Sequence, residues 1–149
     1  MAYAGLGAYS KVATAVESKE RILLKLLEGA IRFLGFARNG MELENPRIKG
    51  ESISRVIDIL TELDCALDRE VGGELAQNLS ALYRYMMYRL TLANLRNDAG
   101  ILDEVETVIC QIKEGFEGAI HQRSVVQPSA MGTATGTYAQ MTKGLSVAA

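Results

Sequence analysis

The residues of this chain that could do chemistry are few and scattered. Its single histidine, His121, excludes any site that needs two imidazoles, including the paired Glu-x-x-His ligands of di-iron bundles. A phosphotransfer histidine works in mid-helix on a supporting scaffold. His121 instead falls at the presumed end of the last helical segment, where an imidazolium meets the negative end of the helix dipole. Cys65 and Cys110 have no C-x-x-C spacing. They lie on or beside apolar stripes, so they read as buried thiols of a cytosolic protein rather than disulfide partners, zinc ligands or nucleophiles. The carboxylate pairs Asp64/Asp68 and Asp103/Glu106 stand one helical turn apart, but no further ligand completes a metal site, and solvated helix faces account for them. Gly72-Gly73 is too short to cradle phosphate and lacks the lysine of a P-loop, which leaves a turn. No catalytic residue, cofactor or metal is expected.

The elements that carry these residues are helical throughout. The chain has 149 residues, 48% apolar and 23% charged, the size and composition of one ordinary globular domain. A net charge of −2 supplies no basic field for nucleic acid. The N-terminus lacks a signal-peptide pattern, and no apolar run approaches the roughly 18 residues of a membrane span. A cytoplasmic protein without membrane insertion is therefore expected. All 18 acids fall between Glu17 and Glu117 with 13 of the 16 bases, a net −5. Residues 124–149 hold no acid and only Lys143 as a base, and 15 of those 26 are Gly, Ser, Thr or Ala. That composition predicts a flexible tail over 122–149, because little apolar burial is available to offset ordering entropy. Residues 1–16 carry Lys11 alone, with Tyr3, Leu6, Tyr9 and Val12 every third position, which predicts short helical turns forming an N-terminal cap.

Between cap and tail, residues 17–121 contain four periodic segments. The first runs from Ser18, a plausible N-cap, with the stripe Ile22, Leu26, Ala30, Phe33 and Ala37, to Gly40, suited to the left-handed position that ends a helix. The second opens with Asn45-Pro46, a capping side chain before the residue favoured at the first helical position. It carries Ile53, Val56, Ile57, Leu60, Leu63 and Leu67 up to a break at Val71-Gly72-Gly73. The third bears Leu75, Leu79, Leu82, Met86, Leu90 and Ala93 and ends near Arg96-Asn97. Asp98 can cap the fourth, with Ile101, Val105, Val108, Ile112, Phe116 and Ala119. Segments of about 20–24 residues, roughly 30–36 Å each, joined by short connections predict an antiparallel up-down four-helix bundle.

These helices hold more apolar residues than a bundle stripe of three or four per two turns needs. In the first segment Leu24 and Phe36 lie off the stripe. In the third, Tyr83, Tyr85, Met86, Met87 and Tyr88 surround Arg84, a run that sweeps every direction of a helix. Tyr83 and Met86 taken singly read as core. The set as a whole suits a groove for an apolar helix of a partner.

Four blocks in fixed order carry a likeness to a known family. They are Ala8-Tyr9 with Ser18 and ILLKLLEGAIRFL (Ile22–Leu34); Leu67-Asp68 running into Gly72-Gly73-Glu74-Leu75-Ala76-Gln77-Asn78-Leu79; Leu82-Tyr83-Arg84-Tyr85-Met86 through Arg89-Leu90, Ala93-Asn94 and Asp98; and Ile101-Leu102-Asp103-Glu104-Val105. Together they resemble the flagellar secretion chaperones, FliS, over Ala8–Ile120. The resemblance implies a cytoplasmic, non-enzymatic bundle that binds the disordered C-terminal segment of flagellin, prevents premature polymerisation and aids export. It also implies contacts with other flagellar export or regulatory proteins, and an N-terminal cap in which Tyr9, with Tyr3 and Leu6, packs on the bundle. Under that reading the partner-binding residues are Tyr3, Leu6, Tyr9, Leu24, Phe36, Leu75, Leu79, Leu82, Tyr83, Met86, Met87 and Leu90. The family's usual Ser-Pro is Ser18-Lys19 here, and the chain continues some 29 residues past Ile120, where most relatives stop. The residue patterns alone also admit a phosphotransfer bundle using His121 or a structural oligomerising bundle.

Overall fold

The computed structural model describes the backbone of residues 3–126 and, within that span, the side-chain surroundings of residues 11, 14–16 and 18–123. Four helices follow in order: α1 (Tyr3–Glu42), α2 (Pro46–Cys65), α3 (Arg69–Arg96) and α4 (Ala99–Val126), with no strand among the described residues. Side chains make each sharp start. Asn45 Oδ1 accepts from the amides of Arg47 and Ile48, with Pro46 at the first helical position. Asp68 Oδ1 accepts from Glu70 and Val71, and Asp98 Oδ1 accepts from Gly100 at 2.9 Å. Each cap satisfies amides that have no partner within the helix.

With connections this short, consecutive helices must run antiparallel. α1 lies beside α2 and α4, and α3 lies beside the same two, so the helices form a ring in chain order: the expected all-α up-down bundle. The centre is filled by Leu27, Leu34, Val56, Leu60, Tyr83, Leu90, Val105 and Ile109, all essentially solvent-free, with Ala30, Ala37, Ala76 and Ala93 where backbones come near. Close packing of this kind supplies most of the helices' stability, which isolated segments of their length would lack.

Several expectations are corrected. The N-terminal stretch does not form short separate turns, since α1 runs unbroken from Tyr3 through Glu42. Ser18 therefore lies inside a helix and caps nothing; no proline interrupts the chain there to force a restart. The N-terminal side chains Tyr3, Leu6 and Tyr9 lie outside the described residues, as does most of the tail, 127–149. Ile22 is 57% exposed, because the buried stripe of α1 is offset by one residue, through Leu27, Ala30, Leu34, Ala37 and Met41. The turn between α2 and α3 falls at residues 66–68 instead of Gly72-Gly73. Gly73 sits inside α3 with φ 51° and ψ −127°, a kink that glycine adopts without steric cost. α4 continues past Ile120 to Val126.

Gly40 is also not a helix end. The left-handed residue after α1 is Glu44, with φ 50°, and Gly40 is needed for close approach. A Cβ there would stand 2.6 Å from the amide nitrogen and 3.0 Å from the Cα of Lys49, backbone atoms that cannot swing aside. Gly40→Ala is expected to lower stability by about 1–3 kcal/mol, read as a lower urea midpoint. An unchanged midpoint would show that α1 and α2 can separate there at no cost.

Candidate partner-binding surface

Heptad and four-residue spacing decide which side chains line each seam of the ring. The α1/α4 seam carries ion pairs along its whole length. Arg38 donates to Asp103 at 2.6 Å and Glu106 at 2.5 Å; Lys113 faces Glu28 at 3.7 Å; Arg123 pairs with Glu20. The carboxylate of Glu106, with Asp103, raises the Arg38 pKa still further against the opposing effect of burial. The α2/α3 seam is tied at both ends. Lys49 Nζ donates to the Asn94 carbonyl and Asn97 Oδ1, while Asp64 holds Arg69 at 3.3 Å and Arg84 at 3.4 Å. Met87, on the same seam, lies 3.4 Å from Thr61 Oγ1. The α1/α2 seam is the most closely packed, through Gly40 against Lys49 and Gly29 beside Ile59.

The α3/α4 seam is the loosest and is tied near one end only. Tyr85 Oη donates to Glu104 Oε1 at 2.7 Å, and Arg89 donates through Nη2 and Nε to Oε2 at 2.7 and 3.1 Å. The Tyr85 bond foremost, then Arg89, holds the Glu104 carboxyl below its ordinary pKa, and the shared carboxylate lifts both donors. Leu82 lies seven residues before Arg89 and Leu75 seven before that, so the row facing α4 turns from charged to apolar. On α4 the row from Glu104 continues through Val108 and Ile112. Leu75, Leu82 and Val108 are half-buried against the core. Among the described residues no hydrogen bond or ion pair crosses this stretch, and the result is a shallow apolar groove whose charged end is the Tyr85–Arg89–Glu104 latch.

The expected partner-binding residues divide accordingly. Leu75 and Leu82 line the α3/α4 groove. Tyr83, Met86 and Leu90 are fully buried and Leu79 nearly so, because they lie on the inward stripe of α3; as core residues they present no side chain to a partner. Leu24 and Met87 pack partly against the core at other seams. Phe36, 48% exposed, meets Phe33 edge-to-face with ring centroids 6.0 Å apart, and exposed Ile22 lies about four turns earlier on the same helix. Residue spacing alone did not single out Arg89 and Glu104, although the Leu75–Leu82–Arg89 heptad carries the signal.

Titratable groups elsewhere do not converge. His121 is exposed on α4. Cys65 is exposed rather than buried, since α2 ends with it, and Cys110 is half-buried; both are free thiols. No group of three or more His, Cys, Asp or Glu among the described residues is arranged to hold a metal ion, and no helix there is long and apolar enough to cross a membrane.

Tyr83 Oη is buried without a hydrogen-bond partner. Burial, then the nearby Asp64 charge, pushes its pKa far up, so it stays a neutral phenol. Tyr83→Phe is expected to leave stability unchanged or raise it by up to about 1 kcal/mol, because a desolvated and unpaired hydroxyl disappears; a loss above that in urea unfolding would reveal a partner for the hydroxyl. The latch has a different pH signature. A carboxyl whose folded pKa is depressed contributes stability above its unfolded pKa and loses it as pH falls through the folded value. Glu104→Gln is therefore expected to flatten the acid limb of stability between about pH 5 and 3, and an acid limb identical to that of the parent protein would show that Glu104 ties nothing.

Residues 2–123 match the family described as flagellar protein FliS. The flagellar secretion chaperone FliSB of Pseudomonas aeruginosa is 44% identical over 101 residues, covering 68% of this chain and 80% of that protein. The flagellar secretion chaperone FliS of Salmonella typhimurium is 42% identical over 117 residues, 78% of this chain and 85% of the relative. That of Escherichia coli is 38% identical over 127 residues, 85% and 92% respectively.

Proposed function

Because the chain belongs to the FliS family of flagellar proteins, we propose that it is a cytoplasmic secretion chaperone whose client is the C-terminal segment of flagellin. The role named for its relatives is not catalytic, and the chain is not an enzyme. The observation that supports the reading is the α3/α4 groove, where Leu75, Leu82 and Val108 lie half-buried against the core on the most loosely packed seam. A client helix laid there meets an apolar floor and ends against the polar latch, the arrangement by which helix-in-groove recognition gains both affinity and register.

A chain segment that later packs into coiled-coil helices must expose apolar stripes beforehand, and a complementary surface hides them until export. Ordering such a segment costs several kcal/mol, so its contacts must spread over a large area. The outer strip of α1, with Ile22, Phe33 and Phe36, extends the surface for a client that wraps the bundle.

Isothermal titration with the flagellin C-terminal segment is expected to show saturable 1:1 binding at micromolar concentration or tighter. Leu82→Lys should weaken it at least tenfold with helical circular dichroism unchanged, whereas Leu95→Lys, at an exposed position near the opposite end of α3, should leave it unaltered. Absence of saturable binding would refute the client assignment. Equal loss for both variants would refute the groove.

A further inference from the structure

The family match ends at residue 123, and the chain continues to 149 with a composition the match does not account for. Residues 127–149 contain one charged side chain, Lys143, and no acid. Tyr138, Met141 and Leu145 recur there at i, i+3 and i+7, a spacing that places three large apolar groups on one face of a short helix. Pro128 comes two residues after the last turn of α4. It has no amide to continue the helix and disfavours helical geometry at Gln127, so the chain is free to turn back there.

α4 ends beyond the half of the α3/α4 groove that lies away from the latch. From the latch at Glu104, α4 passes Leu82 and then Leu75 on its way to Val126. The antiparallel register leaves Val126 roughly 15 Å beyond the level of Leu75, at 1.5 Å per residue. The stretch from Val126 to Tyr138 can span about 40 Å when extended, at roughly 3.3 Å per residue, more than enough to return.

We propose that the C-terminal segment 127–149 folds back into the α3/α4 groove when no client is present, with Tyr138, Met141 and Leu145 covering Leu75, Leu82 and Val108. Tethering presents the segment at an effective concentration in the millimolar range, so contacts too weak to hold a free peptide suffice. The absence of acids in the segment keeps like charge away from Glu104 and the acidic bundle. The client competition that follows rests on the function proposed above: a longer partner that gains more area displaces the tail, and the tail lowers apparent client affinity by the fraction of time it occupies the groove.

The test compares the full chain with a full-length variant carrying Tyr138→Ser, Met141→Ser and Leu145→Ser. In the client-free protein, the methyl resonances of Leu75 and Leu82 should differ between the two proteins and be independent of concentration in both. Affinity for the flagellin C-terminal segment should rise about three- to tenfold in the variant. Identical methyl resonances would overturn the proposal whatever the client affinity. Resonances that shift with protein concentration in both proteins would also overturn it, assigning the groove to a second copy. Altered methyl resonances with no flagellin binding by either protein would uphold tail docking and refute the client assignment.

Discussion

The tie between α3 and α4 decides what the bundle can offer another chain. Arg89 and Tyr85 both bond Glu104, and beyond them the facing rows change from charged to apolar. A solvent-exposed ion pair contributes little to stability, so the latch matters for geometry more than for energy. It fixes register at one end and leaves Leu75, Leu82 and Val108 packed on the core from one side only. Had the heptad positions before Arg89 carried further charges, the seam would resemble α1/α4, with Arg38, Lys113 and Arg123 spaced along it. Had it carried glycines at close approach, as α1 and α2 do through Gly40, the backbones would have shut the groove.

This division of labour lets the protein keep a stable core beside an unsatisfied apolar surface. The buried stripe from Leu27 to Met41 on α1, with its counterparts on the other three helices, excludes water without help from a partner. The half-buried row on α3 adds to that core but does not complete it. Gly73, kinked at the start of α3, sets the direction from which the row begins. The buried and unpaired Tyr83 hydroxyl shows that α3 carries a polar atom in the core.

Much of the fold was legible in the residues because the helix signals were local. Asn45-Pro46, Asp98 and the heptads of α2 to α4 each imply one structure, and that structure formed. The misplacements have a common physical origin. Ser18 and Gly40 have the chemistry of helix ends, but capping chemistry permits an end without requiring one. Nothing breaks α1 at Ser18, and contact with Lys49, invisible in a linear reading, explains Gly40. Asp68 became the boundary although that leaves Gly72-Gly73 inside α3, because its side chain caps the amides of Glu70 and Val71 and the positive φ of Gly73 is absorbed as a kink. The proposed site was legible only in part. Spacing named Leu75 and Leu82 together with Tyr83, Met86 and Leu90, and could not show that the latter three, one step around the same helix, are buried. The facing helix makes that distinction, and only the ion pairs across the seams show which helix faces which row.

Hydrogen exchange of the full chain with and without the flagellin C-terminal segment tests the central claim most directly, since it locates the contact without altering a residue. The groove predicts added protection in α3 around Leu75–Leu82 and in α4 around Val108–Ala119, with the α1–α2 end around Gly40 and Lys49 unchanged. Protection confined to the outer face of α1 around Ile22 and Phe36, with α3 and α4 exchanging as before, would contradict it.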